Sequence, residues 1–296
     1  MPGSVVSETG LEVVIPSPLQ VIDDDRLTRY GVRLYLKRDD IIHSDVPGNK
    51  WRKLKYNLQR ASDEGHQRLL TFGGAYSNHI RATAAAGHYC GFSTVGVVRG
   101  EEHIPLNPVL TDAAQFGMHL TYMDRTIYRN KESPEVRDAL RKQFGDVYLI
   151  PEGGSNALAV RGCAELPSEI RESFDVICCA CGTGGTLAGI AVGLQPGRRA
   201  IGFCAMKGGD FLREDVTRLQ EEYAGPTMNW TIETDYHFGG FARRNAELNR
   251  FISDFRERHG LELDWVYVAK MLFGVFDLVS AGRFLRDTTI VAVVTG

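Results

Sequence analysis

Two periods of apolar and polar residues alternate along this chain, and each switch marks a new element. Val32, Leu34 and Leu36 alternate with Arg33 and Tyr35, a strand pattern that Lys37-Arg38-Asp39-Asp40 closes. After the Pro47-Gly48-Asn49 turn, Trp51, Leu54, Leu58 and Ala61 recur at helical spacing with charges between them. Lys50 therefore falls in the first turn of a helix. The apolar run 69–72 predicts a short buried strand, which ends in Gly73-Gly74-Ala75-Tyr76-Ser77-Asn78, and HIRATAAAGH opens another helix. The units repeat with strands at 93–98, 119–123 and 147–150 and helices at 108–116 and 135–144. A second series has a helix at 157–173 interrupted by Pro167, a strand at 175–181, a glycine loop at 182–186 and a helix at 187–194. A strand at 200–206 and a helix at 210–223 follow, then helices at 243–258 and 268–281 and a last strand at 289–294. Residues 1–30 read mostly as loop and 224–240 as irregular. Strands alternating with helices predict an α/β fold of parallel sheets with helices on both faces.

Composition narrows the partners. At 296 residues the chain can bury a large core and is expected to split into two compact lobes. The formal charge is 34 − 37 = −3 with no long run of either sign, which argues against nucleic acid or an anionic membrane. No apolar segment approaches the ~20 residues of a membrane span. The start, MPGSVVSETG, lacks the basic residues and apolar run of a secretory signal, so a soluble cytoplasmic protein is expected. Cys178 and Cys181 have CxxC spacing, but inside the apolar run VICCAC and with no second ligand pair. Buried strand cysteines are expected there, with no metal.

The candidate chemistry gathers where glycines lead into helices. Two such starts present a lysine amine, a serine hydroxyl and an amide, an arrangement suited to a small anionic ligand. On spacing alone Lys50, Lys53 and Lys55 are equal candidates for a reactive amine. Gly182-Thr183-Gly184-Gly185-Thr186 does not fit GxGxxG, because Leu187 holds the last position, which argues against a dinucleotide. Its glycines let backbone N–H groups converge on an anion, and one phosphate suits it better than a pyrophosphate. Ser77 could simply cap a helix. GxSxG is absent, so a hydrolase elbow is not expected.

GNKWRKL followed by GGAYSNH resembles the pyridoxal-phosphate (PLP) enzymes related to 1-aminocyclopropane-1-carboxylate (ACC) deaminase and D-cysteine desulfhydrase, of the tryptophan synthase β-like, fold type II class. The resemblance takes in SPLQ (17–20), LYLKRDD (34–40), IPEGGSNAL (150–158), CGTGGT (181–186) and VYVAKM (266–271), in order over nearly the whole chain. It implies two lobes, each a mostly parallel sheet flanked by helices. Residues 1–47 and 155–296 would form a large PLP-binding domain, and 48–154 a small inserted one. It makes Lys50 the Schiff-base lysine, an amine that must be neutral to attack an aldehyde and that can later act as base at the substrate α-carbon. It places the cofactor phosphate at Gly182, Thr183, Gly184, Gly185 and Thr186, and gives Asn78 a hydrogen bond to the cofactor's 3′-oxygen. Ser77 and Tyr267 would stand beside the substrate.

Two departures bear on specificity. ACC deaminases carry a glutamate directly after that tyrosine, at the pyridine nitrogen, where this chain has Val268; Thr295 resembles the hydroxyl partner of the desulfhydrase branch. Phe241 stands near where the family keeps another active-site tyrosine. The family also continues past Thr295-Gly296 with at least one more glycine and a short tail. The reaction implied is deamination or β-elimination of a small amino acid, such as D-cysteine, to a 2-oxo acid and ammonia, by a homodimer. ACC deamination, PLP-dependent β-replacement and a catalytically weak PLP or amino-acid binding protein are the other readings.

Overall fold

The computed structural model describes residues 4–6 and 10–295. Residues 1–3 and 7–9, part of the stretch read for a secretory signal, and Gly296 lie outside it. The chain begins with β1 (Ser4–Val6) antiparallel to β2 (Glu12–Val14), then β3 (Leu19–Ile22), the short helix α1 (Asp25–Thr28) and β4 (Arg33–Arg38). Helix α2 (Asn49–Asp63) leads to β5 (Arg68–Gly73), α3 (Asn78–Cys90), β6 (Ser93–Arg99), α4 (Pro108–Gln115) and β7 (His119–Met123). After these come α5 (Arg125–Arg129), α6 (Pro134–Phe144) and β8 (Tyr148–Ile150). Helix α7 (Ala157–Ala164) returns the chain to β9 (Val176–Cys181), α8 (Gly185–Gly193), β10 (Arg199–Cys204), α9 (Leu212–Tyr223) and β11 (Trp230–Glu233). Then α10 (Ala246–His259), α11 (Val268–Ser280) and β12 (Thr289–Val294) complete it.

Two sheets result. One has strand order β11-β10-β9-β12-β4-β3, parallel except for β3; the other has order β7-β6-β5-β8 and is parallel throughout. The two-residue period of the strands distributes their side chains between two cores. Val176, Cys178 and Ala180 of β9, with Ile290, Ala292 and Val294 of β12, pack under α10 and α11. Ile177, Cys179 and Cys181, with Val291 and Val293, pack under α7, α8 and α9. Both faces are covered, which is why these strands read as unbroken apolar runs and why the cysteines in VICCAC are buried.

Four stretches differ from the sequence expectation, one of them the short helix α5, which the sequence reading left unassigned between β7 and α6. Residues 1–30 supply β1, β2, β3 and α1, and 224–240 supplies β11. β3 and β11 are four-residue edge strands whose pairing comes from the sheet, not from local pattern; Val21 in β3 is 64% exposed. The helix expected over 157–173 ends at Ala164, and Leu166–Glu169 forms a 3-10 turn, because Pro167 cannot continue the helical bonding. That turn has a use. Glu169 accepts from Arg52 of α2 at 2.6 and 3.0 Å and from Lys37 of β4 at 2.7 Å, while Arg52 also grips Asp39 at 2.6 and 2.8 Å. These two cations hold the Glu169 carboxyl down at about 2 despite its burial. The four charges cancel, and they fasten the first turns of α2 to the end of β4.

Candidate active site

Helix α2 enters the site at a close approach. Gly48 precedes it at φ 56°, where a Cβ would lie 1.9 Å from the Thr295 carbonyl oxygen, so the end of β12 abuts the turn that carries Lys50. The Lys50 amine donates to Asn49 Oδ1 at 2.8 Å, and Asn49 Nδ2 donates to Thr186 Oγ1 at 2.9 Å. One amide thus ties the lysine to the glycine loop. Lys50 keeps partial access to solvent, yet protein atoms crowd it. Burial first and the Lys53 charge second lower its pKa to about 7, against an opposing pull from Asp264.

Lys53 lies three residues further along the same helix face. It is buried, and its Nζ donates to the Gly153 carbonyl at 3.1 Å, Ser155 Oγ at 3.1 Å and Thr183 Oγ1 at 3.4 Å. All three partners are neutral, and burial lowers its pKa. The loop 182–186 joins β9 to α8, with Gly184 at φ 77° as the N-cap, so no side chain caps the first N–H groups of α8. A Cβ on Gly185 would lie 2.6 Å from Ser155 Oγ, and one on Gly182 would lie 3.2 Å from the Tyr267 phenol oxygen. Tyr267, at the start of α11, therefore stands over the beginning of the loop. Burial and then the Asp264 carboxylate raise its pKa, so the phenol keeps its proton. Asp264 accepts from the backbone N–H groups of Val266, Tyr267 and Val268 at 3.1, 2.7 and 3.2 Å and fixes that turn.

The other side comes from α3. Ser77 does cap that helix, its Oγ accepting from the Ile80 N–H at 3.3 Å, and the exposed Asn78 is its first residue. His79, buried, bonds Thr71 Oγ1 through Nε2 at 2.8 Å; burial and the two lysines hold it well below its usual pKa, hence neutral. A Cβ on Gly154 would lie 2.9 Å from His79 Cε1 and 3.6 Å from Lys53 Cβ, so the starts of α3 and α2 meet at the 152–154 turn. Val268 is buried in the core under α10 and α11, and Phe241 packs its ring edge-on against Tyr267 with centroids 5.9 Å apart.

Lys50, Tyr267, Thr295 and the loop 182–186 are thus brought to one place, while Ser77 and Asn78 stand at the start of α3, whose His79 borders it at Gly154. Sequence reasoning gave no role to Asn49, Ser155 and Asp264 and weighed Lys53 only as a rival reactive amine to Lys50. The signal for Lys53 was present, since i and i+3 share a helix face; so was that for Asp264, three residues before Tyr267 at a helix start. The link from Ser155 to Thr183, 2.6 Å between hydroxyl oxygens, crosses 28 residues and has no local trace.

The arrangement has one unmet requirement. A buried ammonium with neutral partners and an uncapped helix N-terminus converge on the same loop, and both are complemented by an anion. With a neutral amine alongside, the site fits a group that carries an aldehyde and a phosphate.

Fold and site together define an α/β enzyme of the fold type II architecture. The chain belongs to the pyridoxal-phosphate dependent enzyme family, whose model matches residues 12–296. It is 34% identical over 281 residues to a Thermotoga maritima protein named "Putative 1-aminocyclopropane-1-carboxylate deaminase", covering 89% of each chain. It is 30% identical over 302 residues to D-cysteine desulfhydrase of Yersinia enterocolitica, covering 95% of this chain and 91% of that one. The crystal structure of an ACC deaminase homologue superposes with a TM-score of 0.85 at 27% identity, covering 100% of this chain and 92% of that one. Among the described residues no helix is long and apolar enough to cross a membrane.

One prediction concerns the loop directly. Gly184→Val puts a β-branched residue at φ 77° with its Cβ 2.7 Å from Val216 Cγ2. Cofactor affinity is expected to fall by at least ~1 kcal/mol, the order of one charge-assisted hydrogen bond. An unchanged dissociation constant in a fluorescence titration would place the phosphate elsewhere.

Proposed function

We propose that this enzyme deaminates a small β-substituted amino acid, with D-cysteine as the type substrate: the β-substituent leaves, as hydrogen sulfide from D-cysteine, and water then yields a 2-oxo acid and ammonia. The observation that carries the reading is the pairing of a neutral-poised amine, Lys50, with the buried, charge-unmatched Lys53 at an uncapped helix start. Bound there, pyridoxal phosphate supplies an aldehyde for the amine and a ring that takes up charge from the substrate's α-carbon. Lys53, the N–H groups of 182–186 and the hydroxyls of Thr183 and Thr186 hold the phosphate. Asn78 takes the 3′-oxygen and Thr295 the ring nitrogen. Lys50, once free, removes the α-proton. Ser77 receives the substrate carboxylate, and the protonated Tyr267 phenol is a donor to the leaving group at the β-carbon. The division into a domain of 1–47 plus 155–296 and an inserted one of 48–154 belongs to the same reading, as do a dimer and a cytoplasmic address.

ACC and D-cysteine separate the two reactions named among the relatives. ACC has no α-hydrogen, so the proton Lys50 is poised to remove is not there. Val268, packed in the core, offers no carboxylate in its stead, and Phe241 has no phenol to give. D-Cysteine has both an α-hydrogen and a leaving group that drains the charge as it forms. Purified protein screened against ACC, D- and L-cysteine, D-serine and β-chloro-D-alanine is expected to release 2-oxo acid fastest from D-cysteine or β-chloro-D-alanine. The kcat/KM advantage over ACC should be at least about tenfold, ~1.4 kcal/mol in the barrier. Equal values on ACC would sink this assignment.

A further inference from the structure

Lys270 is buried to 1% exposure, yet no step above uses it. Its ammonium donates to the carbonyls of Gly240 at 2.8 Å, His237 at 2.9 Å and Ala205 at 3.4 Å. Its three N–H donors meet three neutral acceptors, and among the described residues no carboxylate pairs with it at ion-pair distance. Burying an ammonium this way is unfavourable relative to an apolar chain of the same length, so stability alone does not account for it.

The carbonyls it gathers belong to a strained loop. Phe238, Gly239, Gly240 and Ala242 have φ of 52°, 94°, 123° and 51°, so two residues with side chains sit in the left-handed region. The loop's own bonds are few: Gly240 N–H to the His237 carbonyl at 3.0 Å, Gly239 N–H to His237 Nδ1 at 3.0 Å and Arg243 N–H to the Gly240 carbonyl at 3.1 Å. Lys270 binds both of those carbonyls from outside. At its leading end Phe238 meets Phe273 of α11 edge-on at 4.9 Å, and at its crest is Phe241, 45% exposed, against Tyr267. Tyr267 begins the helix in which Lys270 lies one turn later, so loop and phenol are referred to one helix.

We propose that Lys270 is a positioning residue for the reaction: its ammonium locks the loop 237–242, and the loop holds Phe241 against Tyr267 so that the phenol stays over the glycine loop. This rests on the role given to Tyr267 above and assigns the side chains that keep it in place.

The test uses holoenzyme with Lys270→Met, which keeps the length and removes the donors, and Phe241→Ala, which removes only the ring. Hydrogen exchange read by mass spectrometry should quicken at least about tenfold across 237–242 in Lys270→Met, as for a segment released to local opening. Cofactor fixed on Lys50 by borohydride should stay at the wild-type level in both. With D-cysteine, kcat should fall about tenfold or more with KM changed far less, the scale of a misplaced catalytic group. In a Tyr267→Phe background both substitutions should lose most of that effect, because they act through the phenol. Wild-type exchange in 237–242, or effects that simply add to Tyr267→Phe, would overturn the proposal. Should Lys270→Met not fold, Phe241→Ala decides the cycle alone. Failure of the underlying reading shows separately, in wild-type protein that fixes no cofactor on Lys50 or turns over no D-cysteine, while the exchange comparison still judges the lock.

Discussion

Lys50→Ala protein is expected to be colourless, to give no cofactor-labelled peptide after borohydride, and to lose at least about a thousandfold in turnover, within the 10²–10⁴ range of one general base. Wild-type protein should be yellow and label only the peptide containing Lys50. The selectivity for Lys50 is electrostatic. Lys53 and Lys55 share the helix, but the Lys53 ammonium is occupied by Gly153, Ser155 and Thr183, and Lys55 pairs with Glu165. Lys50 has a single neutral partner and a pKa brought to about 7 by burial and by Lys53. Below that value the amine is charged and cannot attack an aldehyde; above it the amine is free. Capture of the cofactor by apoprotein should therefore speed up between about pH 6 and 8 and level off beyond, roughly three units below an ordinary lysine. Label on Lys53 or Lys55, or a midpoint near 10, would contradict the assignment.

Gly48→Ala should be strongly damaging for a single added methyl. Two terms add: φ 56° with ψ −130° lies outside even the left-handed helical region and costs a residue with a side chain on the order of 1–3 kcal/mol, and its Cβ would sit 1.9 Å from a backbone oxygen of Thr295. The Gly48 backbone is held by its N–H bond to the Asp39 carbonyl at 2.9 Å, and Thr295 directly follows Val294, which is paired to Arg38 of β4. A total loss of roughly 3 kcal/mol or more is expected in denaturant unfolding, with cofactor fixation on Lys50 falling in parallel. Gly91→Ala provides the comparison, since Gly91 has φ 78° but open space around its Cβ position; it should cost only about 1–2 kcal/mol. If the two variants unfold together, the Gly48–Thr295 approach carries no strain worth the name.

Much of this was legible in the sequence, for identifiable reasons. β4, α2, β5, β9 and β12 bury whole faces, so their periodicity dominates over local noise. β3 and β11 were missed because an edge strand draws its order from the neighbour it pairs with. At the site, glycine loops and helix starts announce themselves locally, which drew attention to the loop 182–186 and to three lysines of α2, among which only the family resemblance singled out Lys50. Lys53 had its signal in the spacing but was counted only as a rival to Lys50. Lys270 was invisible: one lysine in VYVAKM looks like any other until its three carbonyls, 30 to 65 residues away, are in place.

The quartet of Lys37, Asp39, Arg52 and Glu169 has a consequence for how such a chain can drift over generations. Altering one member leaves a buried charge unanswered, a loss of several kcal/mol, whereas replacing a matched set can be neutral. Positions 37, 39, 52 and 169 should thus behave as one inherited unit, changing together or standing still, and a graft of α2 into a relative should succeed only if the other three come with it.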